Sequence, residues 1–181
     1  MGLPGGTSAH GERNKISDVP GVTVGHCTLA DGDIQTGVTA LLPHPGDVFH
    51  DKVLAACHVI NGFGKTTGLV QIDELGTLET PILFTNTLSV GTVETALVKY
   101  MLERNPDICE TTGSVNPVVC ECNDSGLNDI RGLHVTEAHV AAALADCKAD
   151  FAEVQWVPDA ECAATAERRH RFCLPAGGAG R

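Results

Sequence analysis

Apolar runs and turn signals alternate along the chain, which predicts a series of short strands and helices. β-Branched and apolar residues between turn residues predict strands. The predicted strands cover residues 22–29, 38–42, 53–60, 81–84 and 118–122. Apolar residues at helical spacing predict helices at 65–75, 90–103 and 136–147. Asn105-Pro106 ends the second of these helices, and Thr136 is a suitable N-cap for the third.

This order of elements predicts a layered α/β (α+β) fold, in which helices pack on a mixed sheet. Polar loops follow three of the predicted strands: Asn61-Gly62-Phe63-Gly64, Asn86-Thr87-Leu88-Ser89 and residues 123–129. If the strands lie side by side, the loops converge on one edge of the sheet. We therefore expect a pocket of amide side chains and backbone N–H groups there, suited to orienting an amide or a carboxylate.

The segment CECNDSGLNDIRGLH, residues 120–134, has two amides, two carboxylates and a hydroxyl within seven residues, which is unusual for a plain connector. The candidate substrate-binding residues of all three loops are Asn61, Gly64, Asn86, Thr87, Asn123, Asp124 and Asn128. Asn and Asp are also routine turn residues, so a purely structural role is the alternative. Ser89 and Ser125 have no neighbouring base in sequence and are interpreted as loop hydroxyls. No catalytic residue is predicted.

Composition and charge narrow the class of protein. The 181 residues suit one domain with a real core, and 43% hydrophobic with 19% charged residues is ordinary for a globular protein. The net charge of −11 argues against a nucleic-acid partner. The N-terminus lacks the apolar region of a signal peptide, and no stretch approaches the roughly 20 apolar residues that span a bilayer. We expect a cytoplasmic protein without a membrane partner.

The eight cysteines are expected to stay reduced in that compartment. A metal site would draw on Cys109, Cys120, Cys122 and His134. However, Cys-x-Cys on a strand lacks the usual spacer of zinc sites. The cysteines are better interpreted as small buried apolar residues, and no metal ligand is predicted.

Five segments of the chain together resemble one known family. They are KISDVPGVTVGH (15–26), TGVTALLP (36–43), INGFGKTTG (60–68), TPILFTNTLSVG (80–91) and CNDSGLNDIRGLHVT (122–136). In this order they resemble the self-processing L-aminopeptidase/D-esterase/D-amidase family, which includes the β-aminopeptidases. The resemblance runs from about residue 15 to residue 152 and concerns the amino-terminal portion of the family.

The resemblance implies an α-β-β-α sandwich like that of the N-terminal-nucleophile hydrolases, here incomplete. In such enzymes the precursor cleaves itself before a Ser, whose freed amine then acts as base for its own hydroxyl. The resemblance further implies release of N-terminal amino acids from peptides, amides or esters. It implies no metal or organic cofactor, and a homo-oligomer.

Departures from the family pattern are equally informative. The family's nucleophile lies in its second half, beyond the length of this chain, and Gly113-Ser114 stands in a different context. Gly126 stands in the loop where some relatives carry an active-site Tyr, and Lys65 stands where some carry Glu. We therefore expect that this chain alone lacks the attacking residue.

The predicted domain organisation is a flexible leader (1–14), a partial aminopeptidase-family domain (15–153) and an atypical tail (154–181). The tail ends rich in Gly and Ala and lacks a clear period. Codon choices exist for which 154–166, read out of frame, give the glycine-rich string GAMGAGRGMRCYG. Our hypothesis is a frameshift near Glu153, with a poorly packed tail.

Two functions from different classes follow. The first is the amino-terminal part of a peptidase that acts on peptides, amino-acid amides or esters and needs the missing nucleophile-bearing half. The alternative is a truncated non-enzymatic scaffold, or a binder of small amides or amino acids. Acyl transfer is a third possibility, by fold analogy alone.

Overall fold

The computed structural model describes residues 11–59 and 62–152. Its strands are β1 (Thr23–Asp31), β2 (Ile34–Leu42), β3 (Val53–Leu54), β4 (Thr77–Leu78), β5 (Ile82–Asn86) and β6 (Val118–Cys122). Its α-helices are α1 (Leu69–Leu75), α2 (Val90–Arg104) and α3 (Glu137–Ala145). Short 3₁₀ turns occupy Ile16–Asp18, Thr87–Ser89 and Ile130–Gly132.

The main sheet of these residues is mixed and has the strand order β1-β2-β5-β6. β1 and β2 form an antiparallel hairpin whose two-residue turn contains Gly32 at φ +56°, a value that favours glycine. β2 pairs with β5 in antiparallel fashion, whereas β5 and β6 are parallel, with Phe84 opposite Cys120. The parallel pair is connected through α2, as parallel pairing requires a long crossover.

Helices α2 and α3 cover one face of this sheet. Val38, Leu83 and Val119 of the sheet pack against the core that Leu97 of α2 and Val140 of α3 complete, and all five are at most 1% exposed. The neighbouring strand residues point to the opposite face because side chains alternate along a strand. The main sheet and the layer formed by α2 and α3 are two layers of the expected sandwich.

The close approach of α3 to β1 depends on Gly25. A Cβ atom on this residue would lie 2.2 Å from the carbonyl oxygen of Ala143 in α3. Glycine is therefore the residue that lets the helix backbone rest directly on the strand.

The opposite face of the sheet is covered at one end by α1 and β4. Ile72 of α1 and Leu78 of β4 pack with Val118 of β6 in a second, smaller cluster of buried residues. Both outer strands are also engaged at their free sides. Val24 of β1 exchanges two backbone hydrogen bonds of 3.1 Å with Lys148, and the N–H of Thr67 donates to the Val119 carbonyl of β6.

Most predicted elements agree with these bounds, and the strand at 118–122 agrees at both ends. The predicted buried strand at 53–60 is wrong, because strand pairing is limited to Val53–Leu54 and Leu54 is 93% exposed. Its partner β4 is only two residues long, and beyond this pair the Ala55 N–H donates to the Gly76 carbonyl at 2.9 Å without continuing the strand.

The first helix begins at Leu69, later than the predicted residue 65. Gly68 has φ +79°, and a Cβ there would lie 2.4 Å from the Pro117 carbonyl oxygen. This left-handed residue therefore separates the preceding segment from α1.

The predicted leader lies mostly, and the predicted tail entirely, outside the described residues, so both domain boundaries stay predictions. Within 11–59 and 62–152, none of the helices combines the length and apolar character needed to cross a bilayer.

Candidate functional site

The carboxyl ends of β5 and β6 meet at the same edge of the sheet because the two strands are parallel. Asn86 is the last residue of β5, and Asn123 directly follows β6. The β1–β2 hairpin turns at this edge too, since β2 runs antiparallel to β5. The structure therefore brings two of the three predicted loops together, as the sequence predicts. We call this set of loops and hairpin the polar edge.

Asn86 is 1% exposed and has three hydrogen bonds through its side chain. Its Oδ1 accepts from the backbone N–H of Leu88 at 3.1 Å and of Ser89 at 3.0 Å. Its Nδ2 donates to the Thr36 hydroxyl of β2 at 2.9 Å. Asn86 is therefore both a cap for the turn that leads into α2 and a buried connection to the neighbouring strand.

Asp124 and Asn128 are also buried, at 5% and 6% exposure. Asn128 Nδ2 donates to Asp124 Oδ1 at 3.1 Å, and Asn128 Oδ1 accepts from the backbone N–H of Gln35 at 3.0 Å. The Asp124 carbonyl accepts from the N–H groups of Leu127 and Asn128, which closes the loop on itself. These bonds fasten the loop after β6 to the start of β2.

Thr87 and Asn123 are more accessible than these buried residues. The Thr87 hydroxyl donates to the Glu121 carboxylate of β6, across the parallel strand pair. Asn123 is exposed, and its Oδ1 accepts from the Ser125 N–H at 3.0 Å, which is an ordinary Asx turn. Ser89 is 1% exposed and thus unsuited to reach a substrate.

The loop after residue 59 contributes less to this arrangement. Asn61 lies outside the described residues, and Gly64 lies in an exposed bend. The antiparallel bridge between Thr67 and Val119 directs residues 62–64 towards the carboxyl end of β6. Gly64 is not among the partners of the hydrogen bonds that connect the polar edge.

Burial raises the pKa of the Asp124 carboxyl, while the Thr36 hydroxyl and the Asn128 amide act in the opposite direction. Its Oδ2 atom is buried and has no hydrogen-bond partner among the residues that the structure describes. The polar edge thus contains one carboxyl oxygen that the network leaves open.

Three residues of the polar edge were not singled out from the sequence. Gln35 and Thr36 are at the start of β2, where their positions depend on strand pairing and carry no local signal. Glu121 did have a signal, because a carboxylate interrupts the apolar run VVCEC. The Thr87 hydroxyl donates to this carboxylate, so the charged side chain has a hydrogen-bond partner within the apolar strand pair.

The predicted metal alternative finds no support in the described part of the chain. No group of three or more His, Cys, Asp or Glu side chains is arranged there to hold a metal ion. Cys109 is exposed on a loop, while Cys122 is buried at the end of β6.

The α+β fold places the chain in the class of proteins with an N-terminal-nucleophile-hydrolase-like fold. Residues 14–158 match the model of peptidase family S58, and the chain belongs to this family. The match concerns the amino-terminal portion of the family.

Solved structures and a curated relative support the same assignment. The PH0078 protein of Pyrococcus horikoshii OT3 is 54% identical with a TM-score of 0.80, over 82% of this chain and 44% of that one. The L-aminopeptidase D-Ala-esterase/amidase of Ochrobactrum anthropi, described as a variant of the Ntn hydrolase fold, is 33% identical with a TM-score of 0.71, over 82% and 44%. Beta-peptidyl aminopeptidase BapA of Sphingosinicella microcystinivorans is 37% identical over 143 residues, which are 74% of this chain and 35% of the relative. The chain thus spans less than half the length of these proteins.

Proposed function

We propose that this chain supplies the amino-terminal portion of a self-processing aminopeptidase. The complete enzyme releases N-terminal amino acids from peptides, amino-acid amides or esters. Its attacking Ser belongs to a segment beyond the matched portion. Membership of family S58, with less than half the length of the relatives covered, is the observation that carries this proposal.

In this proposal the polar edge forms one wall of the substrate pocket. Asn86, Asp124 and Asn128 fix the shape of the wall, because their side chains are buried and because Asn86 and Asn128 are both bonded to the start of β2. Thr87 and Asn123 are near the solvent side of the same wall. Gly64, and Asn61 with it, belong to the third loop that approaches β6. No metal ion or organic cofactor takes part.

A binder without enzymatic activity is the second candidate. It is favoured by the same coverage. The buried amides, which are already hydrogen-bonded within the protein, suit a truncated scaffold. A cytoplasmic location and a homo-oligomer of the complete enzyme are further parts of the first proposal.

The experiment has two arms. First, the gene is resequenced around codon 153 and read in all three frames for a glycine-rich continuation that carries a Ser nucleophile. Second, the 181-residue chain and the protein from the restored frame are assayed on amino-acid p-nitroanilides and amides, with a Ser→Ala variant of the nucleophile as control.

We expect the restored protein to split into two chains on a gel and to hydrolyse the substrates, and the Ser→Ala variant and the 181-residue chain to be inactive. Turnover by the isolated chain would overturn the claim that it lacks the nucleophile. A gene without such a continuation would favour the binder.

A further inference from the structure

The orientation of the Asn86 side chain is fixed by its partners. Two backbone N–H groups, of Leu88 and Ser89, require an acceptor, so the amide oxygen must face them. The amide nitrogen therefore faces Thr36 and donates to its hydroxyl oxygen at 2.9 Å.

Asn128, in the loop after β6, is fixed in the same way. The backbone N–H of Gln35 requires the amide oxygen, at 3.0 Å, and the amide nitrogen therefore donates to Asp124 Oδ1 at 3.1 Å. Because Gln35 and Thr36 are consecutive residues, the two amides approach the start of β2 from its two neighbouring loops. Thr36 is the side-chain partner of Asn86, and Asp124 is the side-chain partner of Asn128.

A hydrogen bond between Thr36 and Asp124 would connect the Asn86–Thr36 pair with the Asn128–Asp124 pair. Thr36 is fully buried, and its hydroxyl oxygen accepts from Asn86, so its own proton is free to be donated. Asp124 Oδ2 is buried and has no partner within residues 11–59 and 62–152. A buried carboxyl oxygen without a partner is costly, and a nearby hydroxyl is the group that relieves it.

We propose that Asp124 is a positioning residue, which acts on Asn86 through the Thr36 hydroxyl and on Asn128 directly. An ionised Asp124 accepts the Thr36 proton at Oδ2, which leaves the hydroxyl oxygen to Asn86. A protonated Asp124 donates to that oxygen instead, so the hydroxyl accepts from both Asp124 and the Asn86 amide, and its own proton turns away from the carboxyl. The charge of one carboxyl thereby sets the hydrogen bonding on both sides of the polar edge.

Asn128 bonds both the Gln35 N–H and Asp124, which places Asp124 close to the residue that follows Gln35, Thr36. The Thr36 hydroxyl also lowers the pKa of Asp124, in agreement with this placement. The titratable groups on the surrounding elements are Asp31 and Asp33 of the hairpin, Glu121 of β6, Arg131 of the 3₁₀ turn and Asp129 with its bonded partner His134. None of these six is among the causes that shift the pKa of Asp124, so its response is governed by burial and by its two polar neighbours.

That these hydrogen bonds shape a substrate pocket rests on the proposed function, but the hydrogen bonds themselves do not depend on it. The test therefore uses the 181-residue chain and no substrate. The Asp124 carboxyl carbon and the side-chain amides of Asn86 and Asn128 are followed by isotope-labelled NMR from about pH 4 to about pH 8, a range around carboxyl titration. We expect both amides to shift with the midpoint of the Asp124 carboxyl.

Three variants test whether the Thr36 hydroxyl connects Asp124 to Asn86. In Thr36→Val the Asn86 response is lost and the Asn128 response is kept, while Thr36→Ser restores both. In Asp124→Asn neither amide shifts at that midpoint. Backbone amide spectra report whether each variant is folded. If Thr36→Val does not fold, the wild-type titration still decides the proposal.

An Asn86 amide that does not follow Asp124 in the wild-type chain overturns the proposal, as does one that still follows it in folded Thr36→Val. Either result leaves the proposed aminopeptidase function untouched, because that function is tested by hydrolysis in the restored protein. Conversely, loss of hydrolysis there would leave the NMR result standing.

Discussion

His50 Nε2 lies 2.9 Å from Asp107 Oδ2 and thereby connects two loops that are 57 residues apart in sequence. Its Nδ1 lies 2.6 Å from Asp47 Oδ2, so the imidazole is held between two carboxylates. The hydrogen bond with Asp47, and then that with Asp107, raises the pKa of His50 above its ordinary value of 6.5. A charged imidazole can donate to both carboxylates, whereas a neutral one has a single proton to donate.

The stability of the chain should therefore depend on pH through His50. The folded pKa is raised, so the contribution is fully present below pH 6.5 and is lost as the pH rises through the raised pKa. We expect the difference in unfolding free energy between wild type and His50→Gln to be larger at acidic than at alkaline pH, measured by urea denaturation. His58→Gln, at an exposed histidine, is the control. A difference that grows with pH would contradict this expectation.

Leu97 of α2 is completely buried in the core between the helices and the sheet. Leu97→Ala should lower the unfolding free energy by about 2–5 kcal/mol, because it removes buried apolar atoms and leaves a cavity. Leu102→Ala, on the same helix but 43% exposed, should cost much less. Equal denaturation midpoints for the two variants would show that α2 does not pack as described.

Gly25→Ala should destabilise the contact between β1 and α3. The added methyl group would lie 2.2 Å from the Ala143 carbonyl oxygen, so helix and strand must move apart, at roughly 1–3 kcal/mol. Gly113→Ala, where the added atom would meet open space, is the matched control. Thermal unfolding followed by circular dichroism compares them, and a Gly25→Ala variant as stable as the control would rule out this close approach.

Asn86→Ala should lower the unfolding free energy by about 1–3 kcal/mol, because two backbone N–H groups lose their cap and the Thr36 hydroxyl loses a donor. Asn123→Ala removes a single bond in an exposed Asx turn and should be nearly neutral. Hydrogen exchange at the Leu88 and Ser89 amides is the most direct measurement. We expect faster exchange in Asn86→Ala, and unchanged protection would argue against the cap.

The elements that the sequence predicted well are those with strong local signals. Helix α2 has a complete apolar stripe and ends before Pro106, and β6 is bounded by Pro117 and by a polar loop. The run at 53–60 is apolar as well, but composition does not reveal whether a partner strand exists. In the structure the available partner is only two residues long.

The convergence of the loops after β5 and β6 at the polar edge could also be predicted from the sequence. Parallel pairing of β5 and β6 brings Asn86 and Asp124 together, and the alternation of strands and helices predicted that geometry. Thr36 was beyond reach, because its role comes from a bond to a residue 50 positions away. A threonine in a β-hairpin carries no local sign of such a partner.

The engaged sides of the outer strands limit how this sheet can grow. Lys148 occupies the beginning of β1 and Thr67 the middle of β6, and the Asp146 carboxylate accepts the N–H of His26 further along β1. Backbone groups that are already bonded offer little to an incoming strand, which discourages edge-to-edge aggregation. A companion strand that paired at these positions would have to displace Thr67 or Lys148, whereas a polypeptide that stacks against a face of the sheet displaces neither.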